Sequence, residues 1–242
     1  MPDLHPATRG FADSGRYERG RPDYPATAVA RIVSELDLRP GRTVLDLAAG
    51  TGKLTRLLVP SGANVIAVEP MREMRERIQG VAALAGTAER IPLTDRFVDG
   101  VTVAQAFHWF DADAALREIH RVLAPGGGLA LIWNARDERD PLQAALTEVF
   151  GRYRGDTPSR EQRSWKTLLA DSGLFERTHR VLFEHVQPVD EQAVVDRVLS
   201  VSFMASLPRE EQAAVEREVR QLARDATELS YMTEVYFGFK PR

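Results

Sequence analysis

The sequence predicts an α/β fold built on a doubly wound, mostly parallel sheet, and three observations predict it. Thr43-Val44-Leu45-Asp46-Leu47 is a short run of branched apolar side chains suited to a buried strand, and the glycines Gly50 and Gly52 follow it at once. Residues from Thr51 to Leu58 then suit a helix, so strand, glycine turn and helix start stand in the order of the ligand-binding corner of such a sheet. Strand-like apolar runs keep alternating with segments of helical period as far as Asn134.

Composition sets the outer limits. A chain of 242 residues can bury a full core and suits one large domain, residues 1–242. With 43% hydrophobic and 28% charged residues it reads as an ordinary globular protein. The net charge of −3 leaves no electrostatic footprint, so neither nucleic acid nor a membrane is expected as a partner. There is no cysteine, which excludes disulfides, thiolate metal sites and Cys nucleophiles. No His/Asp/Glu cluster has metal-ligand spacing, so no metal is expected. No apolar run approaches the ~20 residues of a membrane span. Met1 to Gly20 is polar and lacks the apolar stretch of a secretory signal, which makes a cytoplasmic location the expectation. The oligomeric state is not legible.

Two nucleotide-site readings fail on the letters of the turn. A P-loop would need Gly at Leu47 and Ser or Thr at Leu54, and a dinucleotide fingerprint would need Gly at Thr55. Asp46 adds a physical objection, because at the strand's carboxyl end its charge would lie beside a pyrophosphate. Like charges about 4 Å apart cost on the order of 4 kcal/mol at a surface-like effective dielectric. The same carboxylate favours a cationic ligand. S-adenosylmethionine (SAM) carries a sulfonium and an amine and no phosphate.

Val44 to Thr55 resembles the first motif of class I SAM-dependent methyltransferases. The resemblance implies a seven-stranded sheet with an antiparallel edge strand, SAM as cofactor, and a corner in which Asp46, Ala48, Gly50 and Gly52 meet it. The family usually has Gly where this chain has Ala48, a difference of little consequence if Ala48 sits at negative φ. A SAM-binding protein without turnover and a nicotinamide oxidoreductase stand as alternatives.

Taken in order, residues 1–24 have few periodic apolar positions and read as a loop or lid. Within them Tyr17-Glu18-Arg19-Gly20-Arg21-Pro22-Asp23-Tyr24-Pro25 is similar to the entry segment of many small-molecule methyltransferases. That similarity implies Arg21 facing the cofactor carboxylate, with Tyr17 and Tyr24 walling the substrate site. Val29, Ile32, Val33 and Leu36 lie at helical spacing after Pro25. Asn64 to Glu69 reads as the second strand, and Glu69, about 20 residues beyond Asp46, is placed to accept hydrogen bonds from ribose hydroxyls. Pro70 and Met71 open the next helix, and the adaptable thioether of Met71 suits an adenine face.

A short third strand is expected over Ala82 to Ala85. After it, Gly86-Thr87-Ala88-Glu89 resembles the family's adenine loop, which implies a backbone N–H near Ala88 on the ring edge and Glu89 close by. Gly100 to Ala104 reads as the fourth strand, and Gln105-Ala106-Phe107-His108-Trp109-Phe110 occupies its carboxyl end, the end that faces the ligand crevice of an open parallel sheet. A methyltransferase subgroup has a similar Gln-x-x-His-Trp-Phe stretch, which implies Gln105 against the cofactor and His108 and Trp109 facing the substrate. His108, with an ordinary pKa of about 6.5, is the candidate general base, and a substrate-orienting or packing role is the alternative.

Asp113 to Leu123 reads as a helix, Ala124 to Gly128 as a sharp turn, and Leu129 to Asn134 as the fifth strand. Helices follow over Asp140 to Phe150 and Trp165 to Ala170, and strands over Glu176 to Glu184 and Leu229 to Phe239. Between those strands, helices over Asp190 to Ser202 and Arg209 to Thr227 form an insertion, 186–228, that caps the crevice or offers an interaction surface. The aromatic run and these helices point to a small organic acceptor, with O-methylation of a carboxylate or hydroxyl favoured.

Overall fold

Thr43–Leu47 forms β1, and its parallel neighbours are β2, Asn64–Val68, and β4, Val98–Ala104. The computed structural model that shows this describes residues 20–158 and 165–242. Beyond β2 lies β3, Ala82–Leu84, and beyond β4 lies β5, Leu123–Arg136, both again parallel. With β6, Glu176–Pro188, and β7, Glu228–Phe239, the sheet has the order β3-β2-β1-β4-β5-β7-β6. The Gly126 N–H donates to the Lys240 carbonyl and the Lys240 N–H donates to the Gly127 carbonyl, so the residue that follows β7 bonds in both directions to β5. The sheet is therefore the mostly parallel, seven-stranded one expected, with an antiparallel edge.

The described residues fall into two compact units. One comprises Asp23–Asn134, residues 158 and 165–183, and Thr233–Arg242, and holds most of the sheet. Its strands are apolar on both faces: Leu129, Leu131 and Trp133 enter one core cluster, while Ala130 and Ile132 enter the other. A sheet buried on both sides needs helices on both sides. Helix α1, Ala26–Glu35, supplies Ala28, Val29 and Ile32 to one cluster, and a later helix, Ala112–Val122, supplies Ala115, Leu116 and Ile119 to the other. Between those two run α2, Lys53–Leu58, and α3, Arg72–Arg75, which makes Ala112–Val122 α4. Asp111 accepts the Ala114 N–H and caps α4.

The expected turn at Ala124 to Gly128 is instead a bulge within β5. Val98 pairs with Leu123 and Gly100 with Gly128, so the intervening residues loop out without ending the ladder. Gly126, at φ 79°, permits that excursion. Lys240 closes the same corner, since its ammonium donates to the carbonyls of His120 at 2.6 Å and Leu123 at 2.8 Å, at the end of α4. Lys240→Met is expected to lower stability by about 2 kcal/mol in urea titrations, because two carbonyls lose a charged donor.

The second unit comprises residues 20–22, Ala135–Thr157 and Glu184–Met232. Its helices are α5, Pro141–Tyr153, then α7, Glu191–Leu199, α8, Ser202–Ala205, and α9, Arg209–Leu222, with α6, Trp165–Asp171, belonging to the first unit. Leu146, Val149, Phe150, Val194, Val198, Val215 and Val219 form its own core. The single helix expected over 190–202 is two. The Ser200 hydroxyl donates to the Arg197 carbonyl at 2.9 Å, and Val201 is extended at ψ 134°.

Candidate functional site

At the carboxyl end of β1 the chain makes the glycine turn, and Asp46 lies under it. Its carboxyl is 0% exposed and accepts from the Thr55 hydroxyl at 2.6 Å and the Thr102 hydroxyl at 3.0 Å. Burial pushes its pKa up to about 6 against the pull of those two hydrogen bonds. The expectation that Asp46 offers its charge directly to a ligand is thus corrected. The carboxyl ties β1 to β4 and to α2, and no oxygen reaches solvent.

Ala48 does not meet the condition of negative φ under which its replacement of Gly would cost little. It sits at φ 55°, in the left-handed region where glycine is favoured. Gly50 and Gly52 follow at φ 58° and 82°, and Gly52 takes the N-cap position, which delays α2 to Lys53. Ala48→Gly is expected to raise stability by roughly 0.5–1 kcal/mol, since relief of a 1–2 kcal/mol strain exceeds the added chain entropy. A urea midpoint lower than that of the native chain would refute it.

Glu69 follows the end of β2 and reaches across to the turn. Its carboxylate accepts the Gly50 N–H at 2.8 Å and the Met71 N–H at 2.9 Å, and burial raises its pKa against those two donors. Each oxygen keeps a lone pair for a further donor. The hydroxyl of Thr51 is buried in the turn with no hydrogen-bond partner among the described residues. A Cβ built on Gly50 would meet nothing nearer than Met74 Sδ at 4.0 Å, so the backbone there faces open space. Two buried carboxyls, an orphaned hydroxyl and an open glycine backbone fit a cationic nucleoside. A diphosphate would meet the Glu69 carboxylate, with the sealed Asp46 behind it.

Met71 caps α3 through its backbone, half-exposed beside Glu69. Ala88 is buried in the first core cluster, so its methyl is packing and only its backbone remains for recognition. Glu89 accepts the Asp111 N–H at 3.1 Å, which joins the adenine-like loop to the start of α4. Gln105 sits at φ 57° with its N–H donating to the Ile132 carbonyl at 2.9 Å, and this strained residue turns the chain off β4. The next residues, Phe107–Trp109, form a single tight turn. Phe107 is buried, while His108 and Trp109 are half-exposed with ring centroids 5.2 Å apart.

Two aromatic residues that sequence reasoning assigned to ordinary elements complete this shelf. Trp133 on β5 stacks on Trp165 of α6 at 4.9 Å, and the Trp133 indole N–H donates to His108 Nδ1 at 3.5 Å. The available signal was positional: Trp133 lies near the carboxyl end of the strand beside β4. Thr55 and Thr102 were missed for want of any local signal. Tyr24 is buried in the second core cluster, Arg21 belongs to the other unit with its guanidinium directed at the Ser200 carbonyl at 3.4 Å, and Tyr17 lies outside the described residues. Among the described residues no group of His, Asp and Glu could hold a metal ion, and no helix is long and apolar enough to cross a membrane.

A mostly parallel sheet with one acid on β1 just before the glycine turn and a second just after β2 is the corner of a nucleoside-binding group-transfer enzyme. Comparison with known proteins agrees. Residues 45–131 match the family described as methyltransferase domain. An uncharacterized methyltransferase of Mycobacterium tuberculosis is 43% identical over 212 residues, covering 86% of this chain and 82% of the relative. An uncharacterized methyltransferase-like protein of Schizosaccharomyces pombe is 35% identical over 241 residues, 94% of each chain. In fold, the YcgJ protein of Bacillus subtilis superposes with a TM-score of 0.60 at 20% identity, over 90% of this chain and 100% of that one. The chain belongs to the class I SAM-dependent methyltransferases, and this decides against the oxidoreductase alternative.

Proposed function

We propose that the protein transfers a methyl group from SAM to a small organic molecule, with an oxygen of a carboxylate or hydroxyl as the acceptor. The observation that carries this reading is the aromatic shelf: His108 and Trp109 stand half-exposed beside buried Phe107, in the tight turn that follows β4, the neighbour of β1. Flat apolar walls with a few polar edges suit a small organic ligand. When bound, SAM supplies an activated methyl group on a sulfonium. Ala48, Gly50 and Gly52 offer it close backbone, Glu69 accepts from its ribose, and Met71, Ala88, Glu89 and Gln105 surround its adenosyl part. Asp46 keeps the turn in place from below. The protein's share of the rate is then alignment and exclusion of water, worth roughly 7–11 kcal/mol at best.

The test is a screen with labelled SAM against metabolite fractions, tRNA and cell protein. Label is expected in small carboxylates or hydroxyl compounds, and Trp109→Ala is expected to raise the acceptor KM about tenfold, the worth of one lost aromatic contact at the upper end. Label in macromolecules alone would overturn the reading.

A further inference from the structure

The Trp133 indole is held on two sides. Trp165 stacks on it at 4.9 Å, Tyr236 meets it edge-on at 5.8 Å, and Trp133 is 1% exposed. A buried N–H without an acceptor is expensive, roughly 1–3 kcal/mol. This one donates to His108 Nδ1 at 3.5 Å, its one acceptor among the described residues. An indole nitrogen can only donate, so Nδ1 must keep its lone pair. A neutral imidazole carries one N–H, and with Nδ1 accepting, the proton sits on Nε2.

On the methyl-transfer reading above, we propose that Trp133 is a positioning residue that fixes His108 as the Nε2–H tautomer, so that His108 donates a hydrogen bond to the acceptor and removes no proton from it. A base would need its lone pair on Nε2, which would set an Nδ1–H against the Trp133 N–H. The acceptor class narrows to an oxygen already anionic at neutral pH, a carboxylate. One carboxylate oxygen supplies the electron pair of the new carbon–oxygen bond, and the donor sulfur keeps the pair of the carbon–sulfur bond that breaks. No proton changes hands, and the Nε2–H of His108 holds the carboxylate in line.

Long-range proton–nitrogen NMR of the cofactor-free protein, with the His108 signals identified by their loss in His108→Gln, reads the tautomer directly. The expected spectrum has Nε2 protonated and Nδ1 bare, with a measurable Nδ1–H population appearing in Trp133→Phe. A wild-type ring protonated at Nδ1 overturns the proposal, and an unchanged spectrum in Trp133→Phe overturns the part given to Trp133. This measurement needs neither SAM nor acceptor, so its failure is separate from failure of the methyl-transfer reading. On a carboxylate acceptor His108→Gln keeps an N–H donor and no base, and its kcat is expected to stay within about fivefold of the wild type, the worth of one ordinary hydrogen bond. His108→Phe is expected to fall at least tenfold further. Equal losses in the two variants, or transfer to hydroxyl compounds alone, overturn the donor role.

Discussion

Glu69→Gln is expected to weaken SAM binding by roughly 10–100-fold in calorimetric titration, the worth of a charge-assisted hydrogen bond to the ribose. The wild-type carboxylate accepts two backbone N–H groups, from Gly50 and Met71, and each oxygen keeps a lone pair for a further donor. A Gln side chain has one acceptor oxygen, and its NH2 would face one of those N–H groups. The turn therefore loosens as the ribose loses its partner, and stability falls together with affinity. Wild-type affinity in this variant would remove Glu69 from the cofactor site.

Asp46→Asn is expected to change how stability depends on pH. The folded protein holds the Asp46 proton with a pKa of about 6 against 3.8 for an ordinary Asp, and burial is the main cause. The folded state binds that proton more tightly, so the group's contribution is full below pH 3.8 and is lost as pH rises through about 6. Between pH 4.5 and pH 8 the loss is about 2 kcal/mol. An Asn has no charge to bury. The stability gap between variant and wild type is expected to move by about that amount in the variant's favour across this range, read from urea midpoints at the two pH values. A gap that stays constant would show that Asp46 is ionised in the folded protein at both.

Much of the sheet was legible because its causes are local. The alternation Leu129, Leu131, Trp133 against Ala130, Ile132 sends side chains to two apolar faces, which marks a strand covered on both sides. Asp111, Asp140 and Asp190 stand at helix starts and cap them within three residues. Ala124 to Gly128 misled for the same reason, since a Pro and three glycines spell a turn locally, while pairing with β4 on one side and Lys240 on the other keeps them in the sheet.

The sequence by itself determined the α/β class, the glycine turn and the family, all of which rest on residue order within a dozen positions and on periodicity. Tertiary structure alone decided what those groups experience: Asp46 sealed between Thr55 and Thr102, Ala48 forced to positive φ, and the His108 ring held by an indole from another strand. Charge state, strain and tautomer depend on which donors surround a group and whether water reaches it. Thr102 and Trp133 come from distant parts of the chain, and even Thr55, nine residues from Asp46, is turned toward it only by the fold.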